Sequence, residues 1–292
     1  MPELPEVETT VRGLKSKILG RKIKDVWIDF EKMVKKPKNF KEFKRKLKGK
    51  EIKNIKRRGK NILINLSNNK ILLIHQKMTG HLLFGEWVFK KGKWFSEVSG
   101  PLRNDFKNQF LHLIFFLDNG KNLALSDLRK FAKVELWDEN ELENSKGFKD
   151  LGPEPLEKKF TFVKFKGVLG KRKKGKIKQV LMDQKIIAGI GNIYSDEILW
   201  EAQINPFRDI KTLKEKELKK IYKSMRKILK KGIKVKGDSV SDYRRIDGTK
   251  GDFGSLEKVY RKEGKKCRRC GSIIKRKKIG GRSTHFCPKC QK

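Results

Sequence analysis

CRRCGSIIKRKKIGGRSTHFCPKC, residues 267–290, contains all four cysteines of this 292-residue chain. The cysteines form two C-x2-C pairs with 16 residues between them. Each pair makes a tight turn that points two thiolates at one ion, and two pairs complete a tetrahedral zinc site. The alternatives are two disulfides or four free thiols. Because four sulfur ligands leave no position open for water, we expect one structural Zn²⁺, bound by Cys267, Cys270, Cys287 and Cys290.

Basic residues surround these cysteines and extend along the whole chain. Lys and Arg number 75 against 34 Asp and Glu, for a formal net charge of +41. A chain this basic repels itself unless polyanions surround it. Nucleic acid is therefore the first candidate partner, and an anionic membrane surface is the second. Lysine occurs in every segment, so a generally lysine-rich composition accounts for part of the charge.

Membrane insertion and secretion are not indicated. No apolar run approaches the ~20 residues that a membrane span needs. The first 20 residues carry charges throughout, unlike a secretory signal peptide. We therefore expect a cytosolic protein with no membrane segment.

The segment before the cysteines has a helical pattern. Three amphipathic stretches predict helices, with the turn AGIGN between the first two: KIKQVLMDQKIIAG, NIYSDEILWEAQI and EKELKKIYKSMRKILKKGI. Residues 237–254 are polar and glycine-rich, without periodicity. A long loop of this kind inside a compact protein is usually functional or disordered.

The first 140 residues have a different pattern. Val7, Val11, Leu14 and Ile18 recur at helical spacing, so residues 1–20 are predicted to form a helix. Strand-like segments follow, with turn residues in SNNK and DNGK between some of them: IKDVWIDF, NILINLS, KILLIHQ, HLLFGEWVF, FLHLIFFLD, NLALSDL and AKVELW. Short strands joined by turns predict a β-sandwich or barrel. The pattern stops at LGPEPLEKKF, residues 151–160, which suggests a domain boundary.

The N-terminal sequence MPELPEVETT is acidic, in contrast to the rest of the chain. If Met1 is removed, Pro2 presents a secondary α-amine, and α-amino groups titrate near pH 7.7–8. Such an amine can attack a sugar C1′ and form an iminium ion, which lowers the barrier to elimination of a phosphate. Glu3 can supply a proton to the departing group or to the sugar ring oxygen. Many proteins begin with Met-Pro, however, and acids also suit a helix N-terminus.

Segments along the whole chain resemble the bacterial formamidopyrimidine-DNA glycosylases. They are MPELPEVETTVRGL, RRGKNIL, LLIHQKMTGHL, SDLRKF, LGPEPL, IKQVLMDQKIIAGIGNIYSDEILW, LEKVYRKEG and GGRSTHFCPKCQK. The resemblance implies a multi-domain α+β fold. It comprises an N-terminal β-sandwich with flanking helices (1–150), a helix–two-turn–helix domain (151–262) and a zinc-finger β-hairpin (263–292). The loop near residues 237–254 falls where the family has a mobile cap over the everted base.

The resemblance also implies catalytic roles. Pro2 matches the nucleophile that forms the Schiff base, and Glu3 matches the acid that assists cleavage of the glycosidic bond. Glu6 matches a supporting carboxylate. Lys60 matches the proton donor in β-elimination, and Arg282 matches the finger arginine that holds phosphate and assists δ-elimination.

A further set of residues is implied in DNA binding. Met78 matches the wedge that fills the gap left by the everted base, and Arg129 and Phe131 match residues that probe the unpaired base. Without the resemblance, Met78 and Phe131 would be interpreted as core residues. The remaining implied DNA contacts are His112, Lys173 and Asn192.

The chain departs from the family pattern at several positions. Leu128 stands where proline is common and Ala132 where glycine is common, while Gln76 and Lys77 replace Leu-Gly. Phe110 stands where many members carry a DNA-contacting histidine. These changes affect the expected geometry of lesion recognition and leave the reaction class unchanged.

The resemblance implies a bifunctional base-excision-repair enzyme that removes oxidised purines such as 8-oxoguanine and formamidopyrimidines, then cleaves the abasic site by β- and δ-elimination. We expect a monomer that acts on double-stranded DNA containing oxidised purines or abasic sites and that is associated with the bacterial nucleoid. Two alternatives remain. One is an endonuclease VIII-like glycosylase for oxidised pyrimidines, although that branch usually starts Pro-Glu-Gly-Pro. The other is a non-catalytic DNA- or RNA-binding protein.

Overall fold

The computed structural model describes residues 1–172, 174–239 and 242–292. Contacts between Cα atoms divide the chain into two compact units. The first comprises Met1–Lys149 and Val235–Gly254, and the second comprises Asp150–Lys234 and Ser255–Lys292. Within the described residues, every helix is too short or too polar to cross a lipid bilayer.

The first unit is built on strands. Its helices are Leu4–Ile18 (α1), Phe40–Leu47 (α2), Pro101–Asn104 (α3), Glu139–Asn144 (α4) and Lys146–Lys149 (α5), with 3₁₀ turns at Glu31–Met33 and Phe106–Gln109. Its strands are Ile23–Ile28 (β1), Val34–Lys36 (β2), Ile52–Arg58 (β3), Asn61–Leu66 (β4), Lys70–His75 (β5), His81–Gly85 (β6), Trp87–Lys90 (β7), Lys93–Ser96 (β8), Leu111–Leu117 (β9), Asn122–Ser126 (β10) and Lys133–Asp138 (β11).

Two sheets form the sandwich that the sequence predicted. One has the strand order β1-β9-β10-β6 and the other β2-β11-β5-β4-β3, with β7 and β8 pairing as a separate hairpin. Neighbours pair antiparallel except β2 and β11, which are parallel. In β11, buried Val134 and Leu136 alternate with more exposed Lys133 and Glu135, as expected for a strand with one face on the core. All seven strand-like segments contain strands, whereas β2, β3 and β8 were not predicted.

Helix α1 supplies part of the sandwich core. Its residues Val7, Val11, Leu14 and Ile18, which define the helical period in the sequence, are at most 4% exposed and join a cluster of residues from both sheets. Burial of this apolar stripe stabilises the helix on the sheets. The packing therefore holds the residues that precede α1 against the β-rich unit.

The loop of residues 235–254 packs with the β-rich unit. Ile246 joins the hydrophobic core, and its carbonyl accepts the backbone N–H of Phe84 at 2.7 Å. Arg244 is 4% exposed and donates from Nε to Asp105 Oδ2 at 2.6 Å. The sequence grouped this loop with the helical domain, but its buried anchors pair with residues of the first unit.

The second unit contains helices and the cysteine hairpin. Its elements are Phe162–Gly170 (α6), Ile177–Met182 (α7), Asn192–Ala202 (α8), a 3₁₀ turn at Ile210–Thr212, Glu215–Lys234 (α9), and the hairpin strands Lys275–Ile279 (β12) and Arg282–Phe286 (β13). A short helix, Phe253–Leu256 (α10), spans the boundary between the units.

Helix α7 ends earlier than the predicted span of residues 176–189. Asp183 is its C-cap, and the following residues fold around the side chain of Gln184. Its amide nitrogen donates to the carbonyls of Met182 and Ile190 at 2.8 and 2.7 Å, and its oxygen accepts the N–H of Gly189 at 2.8 Å. These side-chain bonds replace the helical backbone pattern. The result is a compact turn that leads into α8.

Candidate active site

The N-terminal residues are buried at the start of α1. Pro2 is buried, and Glu3 is 2% exposed and forms the N-cap of the helix. Glu6, one turn later, accepts the backbone N–H of Glu3 with Oε2 at 2.8 Å. With Met1 attached, the nitrogen of Pro2 is a tertiary amide and has no nucleophilic lone pair.

Glu6 also joins the N-terminus to the loop of residues 235–254. Its second oxygen, Oε1, accepts the backbone N–H of Asp238 at 2.7 Å, and its carbonyl accepts the hydroxyl of Tyr243 at 3.2 Å. Burial raises the pKa of Tyr243, so this hydroxyl stays protonated and can donate. Gly237 has φ +84°, and a Cβ there would lie 2.8 Å from Glu6 Oε1. The close approach of loop and carboxylate therefore requires glycine.

Lys60 lies in the turn between β3 and β4 and is 7% exposed. The neighbouring Arg57 donates from Nη1 to the carbonyl of Gly59 at 3.1 Å and from Nε to Glu8 of α1 at 3.0 Å. Burial alone would raise the pKa of Glu8, but the hydrogen bonds and charges of Arg12 and Arg57 outweigh it and lower that pKa. A charged carboxylate on α1 thus fixes the turn that carries Lys60.

The α-amino group lies within the field of these charges. Burial lowers the pKa of the Met1 α-amine below its ordinary value. The carboxylates of Glu3 and Glu6 oppose the shift, and the charge of Lys60 adds to it. Pro2, Glu3 and Glu6 lie together at the start of α1, and Arg57 links the turn of Lys60 to Glu8 of the same helix.

The predicted wedge residues line one cavity of about 770 Å³ together with Met1. Met78 is half-buried, and Phe131 is 51% exposed. The guanidinium of Arg129 lies 4.5 Å from the centre of the Phe131 ring. A core aromatic residue is largely buried, whereas half of the Phe131 surface is exposed. The interpretation of Phe131 as a core residue is therefore not supported.

Two other predicted DNA contacts are placed differently or not at all. His112 is 8% exposed, and its Nδ1 lies 2.9 Å from both carboxylate oxygens of Asp29. Phe110, which replaces a common histidine, stacks edge-on against Phe106 at 4.8 Å. Lys173 lies outside the described residues.

In the second unit, Asn192 and Arg282 lie at the ends of regular elements. Asn192 is the first residue of α8, where a helix N-terminus favours anions, and its Oδ1 has no hydrogen-bond partner within the described residues. Arg282 is exposed and begins β13 directly after Gly280-Gly281, whose φ angles of +52° and +75° form a tight hairpin turn. The turn lies against α7, since a Cβ at Gly280 would lie 2.5 Å from Nε2 at the end of the Gln179 side chain.

The four cysteines fit a zinc ion. Their Sγ atoms all lie within 4.8 Å of one another, with 3.5 Å between Cys270 and Cys287 and 4.0 Å between Cys267 and Cys290. Tetrahedral zinc with Zn–S bonds of about 2.3 Å places sulfur atoms about 3.8 Å apart. No disulfide joins any of the four cysteines, all of which are among the described residues, so the disulfide alternative is wrong. The finger is a structural zinc site with four sulfur ligands.

A buried ionic network that sequence reasoning missed joins α7, α8 and the finger hairpin. Nζ of Lys178 lies 2.7 Å from Asp196 Oδ1 and donates to the Ser283 carbonyl at 3.0 Å. Asp196 Oδ2 accepts the backbone N–H of His285 at 2.9 Å. Glu197 is also buried and accepts three backbone N–H groups from the segment that leads to the finger, those of Lys258, Val259 and Tyr260. The sequence signal that could have revealed this network is the pair of adjacent acids, Asp196 and Glu197, inside the apolar segment NIYSDEILW.

Comparison with known families gives three consecutive matches. Residues 1–134 match the formamidopyrimidine-DNA glycosylase N-terminal domain, residues 151–244 match the H2TH domain of the same enzymes, and residues 264–292 match the zinc finger found in FPG and IleRS.

Full-length relatives agree with these matches. The formamidopyrimidine-DNA glycosylase of Pelotomaculum thermopropionicum is 42% identical over 100% of this chain and 99% of its own length. That of Streptococcus pneumoniae strain R6 is 39% identical with the same coverage. A Lactococcus lactis Fpg complex with DNA containing an abasic site is 34% identical, with TM-score 0.86 over 99% of both chains. A complex of L. lactis Fpg with Fapy-dG-containing DNA is 35% identical, with TM-score 0.85 over 99% of this chain and 100% of that one. This agreement over the whole length shows that the chain belongs to the formamidopyrimidine-DNA glycosylase family.

Proposed function

We propose that this enzyme excises oxidised purines from double-stranded DNA with Pro2 as its nucleophile and then cleaves the abasic site at both phosphates. Membership of the family makes the chain a DNA glycosylase and abasic-site lyase of base excision repair. The observation that carries the residue assignment is the geometry at the start of α1: buried Pro2 adjoins Glu3, and Glu6 accepts the backbone N–H of Glu3. Glu8 of the same helix binds Arg57 beside the turn that carries Lys60.

Base release begins at Pro2 once Met1 has been removed. The neutral secondary amine attacks C1′ of the damaged nucleoside, and the glycosidic bond breaks with its electron pair leaving on the base. The departing base takes up the proton that the attacking nitrogen gives up. Glu3 delivers a proton to the sugar ring oxygen as the C1′–O4′ bond opens, which leaves an iminium ion between Pro2 and C1′. Because Glu3 is N-cap of α1 and is held by Glu6, its position relative to Pro2 is set by the helix start.

Strand cleavage follows from the iminium ion, which acts as an electron sink. Loss of a proton from C2′ expels the 3′ phosphate by β-elimination, and Lys60 donates a proton to the departing phosphate. A second elimination expels the 5′ phosphate, with Arg282 holding that phosphate. Water then hydrolyses the remaining iminium and restores the amine of Pro2.

Before this chemistry, the enzyme must turn the damaged nucleotide out of the duplex. Met78, Arg129 and Phe131 fill the gap and contact the unpaired base, which offsets the few kcal/mol that base eversion costs. Asn192 contacts phosphate, and Lys173 and His112 are further DNA contacts. The loop near residues 237–254 covers the everted base. A net charge of +41 favours this polyanionic substrate.

Borohydride trapping tests the assignment. Hydride adds to the carbon of an iminium ion and leaves a stable amine link, so protein mixed with 8-oxoguanine duplex and borohydride should become covalently attached to DNA. The non-catalytic alternative gives no adduct. An 8-oxoguanine duplex should be a better substrate than one carrying an oxidised pyrimidine, and the reverse order would favour the endonuclease VIII-like alternative.

We further propose that the enzyme acts as a monomer in the bacterial cytoplasm, associated with the nucleoid. Its substrate is chromosomal DNA, and its basic charge favours retention there. Light scattering of the purified protein at micromolar concentration should give a mass near 34.1 kDa.

A further inference from the structure

One buried carboxylate contacts both of the loops that carry the proposed wedge residues. Met78 lies between β5 and β6, whereas Arg129 and Phe131 lie between β10 and β11. Asp127, at the start of the second loop, is 0% exposed. A carboxylate removed from water is strongly destabilising unless its oxygens accept hydrogen bonds, so its partners indicate its role.

Within its own loop, Asp127 organises the turn around itself. Oδ2 accepts the backbone N–H of Ala132 at 2.7 Å, and Oδ1 accepts that of Arg129 at 3.3 Å. Its main-chain carbonyl accepts the N–H of Lys130 at 3.0 Å, and Lys130 has φ +55°. These bonds set the backbone on both sides of Phe131 and determine where its side chain and that of Arg129 project.

The same carboxylate reaches the other loop through Thr79. The Thr79 hydroxyl donates to Asp127 Oδ1, a residue 48 positions away in the sequence. The hydroxyl oxygen in turn accepts the backbone N–H of Arg129 at 3.1 Å. Thr79 is 5% exposed and directly follows Met78. One hydroxyl therefore bridges the two loops.

We propose that Asp127 and Thr79 are positioning residues that hold the Met78 loop and the Arg129–Phe131 loop at a fixed spacing, so that the three side chains enter the duplex as one unit. This inference rests on the wedge role given above. Surface loops are ordinarily mobile, and ordering them on binding reduces affinity. A bridge that orders both loops beforehand removes that loss. Its absence should slow base eversion more than it affects folding.

The sharpest test is a matched pair of substitutions at Thr79. Thr79→Val keeps the shape and removes the hydroxyl, whereas Thr79→Ser keeps the hydroxyl. With an 8-oxoguanine duplex, kcat/KM should fall about tenfold in Thr79→Val and stay within about twofold of wild type in Thr79→Ser. Cleavage of a duplex with a ready-made abasic site should change less, since no base has to be everted. Fluorescence of 2-aminopurine beside the lesion should report slower eversion in Thr79→Val alone.

Asp127→Asn tests the carboxylate end of the bridge. It preserves shape but replaces one acceptor oxygen with an amide that faces a donor. If both residues act through one bridge, their effects should not add. The double variant Thr79→Val/Asp127→Asn should then be as active as the less active of the two single variants. If Asp127→Asn does not fold, the Thr79 pair alone decides. Ser96→Ala removes another buried hydroxyl of the same unit, one bonded to the Val98 carbonyl at 3.1 Å, and should retain wild-type activity.

Met78→Ala separates this inference from the wedge role on which it rests. If Met78→Ala impairs eversion while Thr79→Val behaves like Thr79→Ser, the bridge has no positioning role and the wedge assignment stands. Equal losses of Thr79→Val on both substrates, with a lowered Tm, would mean a general structural role and overturn the inference. If Met78→Ala leaves eversion unchanged, the wedge assignment and the inference are both wrong.

Discussion

Oε1 of Glu6 accepts the backbone N–H of Asp238 at 2.7 Å, which joins two residues 232 positions apart in the sequence. The other oxygen of the same carboxylate accepts the N–H of Glu3. The N-terminus proposed to be catalytic and the loop proposed to cover the everted base are therefore held by one side chain. Any movement of that loop away from this position must break a hydrogen bond next to Glu3.

Glu6→Gln should loosen the loop, because the amide offers one acceptor where the carboxylate offers two. An unsatisfied buried donor costs about 1–3 kcal/mol. Amide hydrogen exchange within residues 235–254 should become faster, and release of 8-oxoguanine should fall about tenfold or more. Cleavage of a ready-made abasic site should be less affected. Glu42→Gln, at a partly exposed carboxylate in the first turn of α2, is the control. Unchanged exchange in the loop of Glu6→Gln would show that the carboxylate does not hold it.

Lys60 and Arg282 should act after base loss. Lys60→Ala should slow strand cleavage about a hundredfold, the ordinary scale for a lost proton donor, and slow base release less. Arg282→Ala should leave β-elimination in place and reduce δ-elimination. Gel analysis of the cleaved ends distinguishes the two products. Lys292→Ala is the control: it removes another exposed cationic side chain of the same finger and should leave both steps unchanged. Wild-type nicking by Lys60→Ala would mean that the assigned role is wrong.

Met78→Ala should weaken base eversion in duplex DNA, because the vacated space stays unfilled. The loss should be about tenfold with 8-oxoguanine and smaller with a duplex that already contains an abasic site. Single-turnover rates on the two substrates measure this difference. If both substrates suffer equally and the Tm falls, Met78 is an ordinary packing residue.

Zinc should be required for the finger and dispensable for the β-rich unit. A hairpin of this size folds only with its metal, so Cys287→Ser should abolish tight DNA binding. Circular dichroism should still detect the sandwich, and metal analysis of active wild-type protein should find one zinc per chain. Active protein without zinc would contradict the account.

Much of the fold could be predicted from local patterns. The period of Val7, Val11 and Leu14 predicted α1, and the cysteine spacing predicted the finger. Strand β3 was missed because its apolar residues are spaced by two charged or polar positions, as in IKNIKRR. The early end of α7 depends on hydrogen bonds from the side chain of Gln184, and helix propensities do not predict such bonds.

The supporting contacts of the site could not be predicted, because they join residues far apart in the sequence. Nothing near Glu6 in the sequence indicates Asp238, and nothing near Thr79 indicates Asp127. The acidic N-terminus becomes understandable only in the folded chain. Glu6 holds the loop, and Glu8 holds Arg57 in the turn that carries Lys60.

The central claim is that the amine of Pro2 is the nucleophile. The most direct test compares borohydride trapping by processed protein with trapping by protein whose N-terminus is blocked, either by retained Met1 or by an added N-terminal tag. Intact mass establishes the state of each terminus, and binding to a lesion duplex shows that the blocked protein still recognises DNA. The account predicts a covalent adduct and strand cleavage with the free terminus and neither with the blocked one. A trapped adduct formed by the blocked protein would move the nucleophile to a lysine and contradict the account.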